Sequence, residues 1–115
     1  MTIERINPGK RLSDAVAYGG LVFLAGHVSE RADVSVYEQT KDCLEAIDAD
    51  LAAAGSDKSK LLTVQIWLTD IGTWAEMNRA WDEWIDTSNL PARATVEAKL
   101  ATPAYKVEIA GVAAR

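Results

Sequence analysis

The sequence predicts a single α+β domain in which two helices cover one face of a mixed, mostly antiparallel sheet, in the order β-β-β-α-β-α-β-β. Three observations lead there. Six short segments carry the period-two alternation of apolar and polar residues that marks strands. Two longer segments repeat apolar residues at spacings of three and four, each behind a helix-start sequence. And 115 residues suffice for one core but not for two, so the domain is expected to span residues 1–115.

The first two strands are expected at 2–7, "TIERIN", and 13–20, "SDAVAYGG", with Gly19-Gly20 as the tight turn into a third. That third strand, 21–29, sets Leu21, Phe23 and Ala25 on one face and Val22, Leu24 and Val28 on the other, so both faces call for cover. A helix should begin at Ser35, where "SVYE" matches a capping box in which Glu38 reaches back to the Ser35 amide. Tyr37, Thr40, Leu44, Ile47 and Leu51 form its apolar stripe, and Gly55 ends it by taking a left-handed conformation. "LLTVQIWLTD" at 61–70 is the plainest strand, with Leu62, Val64, Ile66 and Leu68 on its apolar face. A second capping box, "TWAE" at 73–76, opens a helix striped with Trp74, Met77, Trp81 and Trp84. Strands at 93–100 and 106–114 close the chain.

Two helices cover only one face of such a sheet. The other keeps apolar side chains from 21–29 and 61–70, and a large bare apolar patch marks an interface. A homo-oligomer packed through the open sheet face is therefore expected.

Composition removes several functions. With a net charge of −5 and scattered basic residues, the chain lacks the cationic surface that nucleic-acid binding needs. No apolar run is long enough to span a bilayer, and "MTIERINPGKR" has no apolar stretch behind its charges, so neither membrane insertion nor a secretory signal is expected. The single cysteine, Cys43, cannot form an internal disulfide, which suits a reducing cytoplasm and an inert packing role. One histidine, His27, and no cysteine cluster give no metal centre, and no G-x-G-x-x-G, Walker or G-x-S-x-G sequence points to a cofactor or an activated serine. His27 reads more readily as a packed polar residue than as a base.

"NLPARATVEAKL" at 89–100 holds the most informative residue. Alternation puts Arg93, Thr95, Glu97 and Lys99 on a solvent face and Ala94, Val96, Ala98 and Leu100 on the core face. On periodicity alone Arg93 is an exposed strand-end charge.

Seven motifs in order alter that reading: "S-x-A-V" at 13–16, "LVFLAGHV" at 21–28, "EQT" at 38–40, "LAAAGSDKSKLL" at 51–62, "MNRAWDEW" at 77–84, "PAR" at 91–93 and "VEIAGVAA" at 107–114. Together they resemble the reactive intermediate deaminase family (Rid, or YjgF-like), whose members were earlier described as translation inhibitors or L-PSP endoribonucleases. The resemblance implies a chorismate mutase-like fold, a homotrimer with its sheets around a central core, and clefts at the subunit boundaries. It implies hydrolysis of enamines and 2-imino acids to 2-oxo acids and ammonia, without metal or organic cofactor.

By the same resemblance Arg93 grips the substrate carboxylate and Glu108 binds or orients the attacking water, while Asn78 and the backbone at Gly26 line the cleft. A planar guanidinium donates two parallel hydrogen bonds to a carboxylate, which a lysine cannot match. Three positions depart from the pattern. Leu12 replaces a pocket tyrosine, Ala25-Gly26-His27 replaces a Ser-Gly-Gln-like triplet, and Thr95 replaces a cysteine in the same cleft. The resemblance thus leaves two readings, a deaminase of small 2-imino acids or a non-catalytic protein binding small carboxylates. A ribonuclease or translation inhibitor is a third, to which an acidic chain lends little physical support.

Overall fold

A computed structural model describes residues 1–115. Its six strands form one sheet in the spatial order β1-β2-β3-β6-β4-β5, and the chain follows the expected sequence of elements. The strands are β1 (Ile3–Pro8), β2 (Ser13–Tyr18), β3 (Leu21–His27), β4 (Leu61–Leu68), β5 (Ala92–Glu97) and β6 (Val107–Ala114). The helices are α1 (Val36–Ala53), after β3, and α2 (Trp74–Trp84), between β4 and β5. Only β4 and β5 run parallel, a pairing that needs a crossover, which α2 supplies; every other neighbouring pair is antiparallel. Neither helix is long and apolar enough to cross a membrane.

The N-terminal hairpin turns at Gly19, which takes φ +59. α1 starts as its sequence suggests, with the Ser35 side chain accepting from the Glu38 amide at 3.2 Å. The Glu38 carboxylate, however, turns to Arg31 at 3.4 Å. The second capping box does not form. Thr73 precedes α2 but makes no side-chain cap; its hydroxyl donates to the Asp70 carbonyl at 2.6 Å, closing a 3-10 turn over Ile71–Thr73 that Asp70 itself caps. Asp70 reaches an amide two residues on and wins the competition for this turn.

One apolar core lies between the helices and one sheet face. Val22 and Leu24 of β3, Val64, Ile66 and Leu68 of β4, and Val107 and Ile109 of β6 meet Leu44, Ile47 and Leu51 of α1 and Met77 and Trp81 of α2. The outer ends of the two predicted helix stripes are less buried than expected. Tyr37 is half-exposed and hydrogen-bonds Glu83, and Trp74 is exposed. In β4 the apolar face holds Val64, Ile66 and Leu68 as expected, but Leu62 leaves it. Two residues of β4 span one of β6 here, as Leu61 pairs with Ala113 and Thr63 with Val112, and this bulge turns Leu62 outward.

The opposite sheet face is bare. Phe23 is 44 % exposed and Val96 45 %, and Tyr18, Leu21 and Leu62 are also exposed. Here β5 overturns a sequence expectation. Its register places Arg93 beside Val64 and Thr95 beside Ile66, both buried under the helices, so the polar set faces the helix layer and Ala94 and Val96 face outward. Alternation identifies two faces without saying which one is covered, and at the end of a sheet with a bare second face the usual assignment inverts.

Gly111 is required by the β4 bulge, since a Cβ there would lie 2.6 Å from the Thr63 carbonyl oxygen. Backbone cannot yield as a side chain tip does. Gly111→Ala is expected to lower unfolding free energy by about 1–3 kcal/mol, the usual cost of overpacking, read as a reduced urea midpoint at unchanged m-value.

Candidate active site

Arg93 is the second residue of β5, behind Pro91-Ala92, and its guanidinium carbon stands 5.0 Å from the centroid of the Trp81 ring. The stack covers one face of the guanidinium and leaves N–H edges free. The four ion pairs of the chain, His27–Asp50, Arg31–Glu38, Arg31–Asp42 and Arg115–Glu4, leave Arg93 out. Burial pulls its pKa down from the ordinary arginine value, opposed by the charge of Asp82. A half-buried cation without a partner favours an incoming anion. It opens on a cleft of about 890 Å³ whose walls include Asn78, Trp74, Trp81, Thr87 and Leu90.

Glu108 lies on the other side of the sheet. It pairs with Trp67, between neighbours that bury their side chains toward the helices, so its own side chain leaves by the bare face. There it packs on Gly26, where a Cβ would come within 2.0 Å of a Glu108 carboxylate oxygen. The contact depends on a second bulge. Leu24 pairs with Gly111 and His27 with Ile109, so three steps along β3 match two along β6. Gly26 and Leu12, the latter 62 % exposed, line a second, smaller cleft shared with Asp14, Glu30 and α1.

The residues expected in one site therefore fall into two sets within the chain. Arg93 and Asn78 share the cleft beside α2; Leu12 and Gly26 share the other, with Glu108 packed on Gly26. Thr95 joins neither. It lies on the helix side beside Ile66, and its hydroxyl oxygen is enclosed without a hydrogen-bond partner. Thr95 thus lines neither cleft of the single chain.

Comparison with known proteins accounts for the arrangement of motifs. Residues 2–115 match the family model described as Endoribonuclease L-PSP. The chain belongs to this family, the YjgF or L-PSP family. A RutC family protein of Haemophilus influenzae is 51 % identical over 114 residues, covering 98 % of both chains. The RutC family protein YoaB of Escherichia coli is 45 % identical over 114 residues and 99 % of each chain. Among solved structures, a YjgF family member from Neisseria meningitidis superposes with a TM-score of 0.96 at 45 % identity, covering 100 % of this chain and 96 % of its own.

Within the YjgF/L-PSP fold three side chains that the sequence reading did not place near the site support it. Trp81, part of the apolar stripe of α2, is the platform under Arg93. Gln39, the middle of the "EQT" motif, is fully buried; its amide nitrogen donates to the Arg31 and Ala104 carbonyls and its oxygen accepts from the Lys106 amide, each at 2.9 Å. These bonds hold the start of β6, two residues before Glu108. Asp50 is the third, a buried partner of His27 at 2.5 Å. One signal for it existed: position 50 follows Ile47 by three and precedes Leu51, so it falls on the buried stripe of α1. His27 is packed, as expected. Cys43 is fully buried, and burial pushes its thiol up to about 12, which keeps it protonated and inert.

Gly26→Ala is expected to drive the Glu108 carboxylate into another rotamer, visible in a crystal structure. Because the displaced group is a flexible side chain, the unfolding free energy should fall by less than about 1 kcal/mol.

Proposed function

We propose that the chain works as a homotrimer in which the Arg93 cleft of one protomer meets the Glu108–Gly26 surface of the next, and that this composite site hydrolyses small 2-imino acids to 2-oxo acids and ammonia. The observation that carries this reading is the unpaired Arg93 guanidinium, stacked on Trp81 in an open cleft with Asn78. A carboxylate is an anion whose two oxygens match a guanidinium edge. The division of the site residues between two clefts supports a boundary site, because neither half is complete alone. The bare sheet face, with Phe23 and Val96 exposed, offers the surface through which copies would pack.

The chemistry asked of the chain is modest. A 2-imino acid is electrophilic at C2, so fixing its carboxylate at Arg93 and holding one water against Glu108 brings the reactants together. Glu108 takes a proton from water as its oxygen adds to C2 and passes it to the imine nitrogen; it then carries the proton of the new C2 hydroxyl to the same nitrogen as the C2–N bond breaks, leaving the 2-oxo acid and ammonia. No residue set in the chain suggests a metal. The cytoplasm, where such intermediates arise, is the setting that fits.

A second reading, binding of small carboxylates without turnover, draws on Leu12, an aliphatic side chain lining the Gly26 cleft, and on Thr95, whose enclosed hydroxyl lines neither cleft. The endoribonuclease description attached to the family finds no cationic surface in a chain of net charge −5.

With the imine generated in situ, wild-type protein should accelerate ammonia release well above buffer. Arg93→Ala should lower kcat/KM by about 30- to 150-fold, the loss of a charge-assisted pair of roughly 2–3 kcal/mol. Calorimetric binding of 2-oxobutanoate without any acceleration would instead establish the binding reading. Light scattering at micromolar concentration should give the mass of three chains, and a monodisperse monomer would defeat the composite site.

A further inference from the structure

We propose that His27 and Asp50 are positioning residues for Glu108: by clamping the β3 bulge to α1 they hold Gly26 where its bare Cα receives the Glu108 carboxylate. The inference rests on the reading of Glu108 as the water-holding group.

The clamp is built from both ends of one residue. His27 Nδ1 lies 2.6 Å from the carbonyl oxygen of Ala25, inside the bulge, and Nε2 lies 2.5 Å from Oδ2 of Asp50 on α1. Its own carbonyl accepts from the Cys43 thiol, also on α1, at 3.3 Å. A carbonyl only accepts, so Nδ1 carries a proton; a second proton must lie between Nε2 and Asp50, since a bare nitrogen lone pair against a carboxylate would repel it. His27 and Asp50 are 9 % and 6 % exposed, so their bonds are shielded from water and hold their geometry firmly.

Gly26 is caught between these anchors. It sits between Ala25, whose carbonyl His27 holds, and His27 itself, and a Cβ on it would be 2.8 Å from the Glu108 carboxyl carbon. The fit leaves no room for the bulge to slide without moving Glu108. A register lacking the extra residue would turn position 26 to the other face.

Substitutions at Asp50 separate the clamp from a general structural role. Asp50→Ala removes the anchor. In Asp50→Asn the amide rotates to donate to Nε2 while Nδ1–H keeps Ala25, so the bridge survives. The Gly26 amide and Glu108 side-chain carboxyl NMR resonances should both move in Asp50→Ala and return in Asp50→Asn. In the imine assay Asp50→Ala should lower kcat by about tenfold at unchanged KM, because Arg93 is untouched, and Asp50→Asn should restore it. Combined with Glu108→Gln, Asp50→Ala should cost nothing more. If Asp50→Ala does not fold, Asp50→Ser, whose hydroxyl is too short to reach Nε2, takes its place. A folded variant with both resonances at their wild-type positions would overturn the proposal, as would a loss of activity that persists undiminished in the Glu108→Gln background. Absence of turnover in the wild type would sink the deaminase reading instead, and the resonances alone would then decide the clamp.

Discussion

The helix layer seals one face of the sheet and leaves the other open, and the placement of every candidate site residue follows from that asymmetry. Successive side chains of a strand leave by opposite faces. β6 therefore sends Ile109 into the core and Glu108 out through the bare face, while β5 sends Arg93 toward the helices. The sheet itself thus separates a cation from a carboxylate that the proposed reaction would bring together. The separation also keeps them from neutralising each other: Arg93 rests on an indole and Glu108 on a glycine, each available to a third party.

Two bulges adjust this plan, and each is matched to a glycine. In β4 the extra residue brings the Thr63 carbonyl up to Gly111; in β3 it brings Gly26 up to Glu108. The first contact is backbone against backbone and belongs to the stability of the central strand pair. The second is a side chain against backbone, and belongs to the orientation of a carboxylate. The same device, an added residue opposite an absent Cβ, serves backbone packing in one place and the placement of a side chain in the other.

Much of the fold was legible in the sequence because periodicity and punctuation are local. The eight elements, the Ser35 cap and the uncovered face all follow from residues within a few positions of each other. The errors are those that local pattern cannot resolve. Alternation in β5 distinguishes two faces, but only the position of α2 says that Arg93 lies under it. The "TWAE" sequence satisfies a capping pattern, yet Asp70, three residues upstream of Thr73, takes the turn first. Arg93 and Glu108 stood out through family motifs and not through periodicity. Their separation by the sheet was invisible, since strand order cannot be read from alternation. Asp50 was the residue within reach that was missed: an acid on an apolar stripe asks for a partner, and the only histidine was available to be one.

Gln39 has a consequence of another kind. Its single carboxamide joins the segment around Arg31, which follows β3, to the segment around Ala104, which precedes β6. These two loops are far apart in the chain, yet neither can detach without stripping a buried amide of its partners. They accordingly gain and lose order as one cooperative unit. Loosening by heat or protease at either loop is transmitted to the other, and with it to the strand end that carries Glu108.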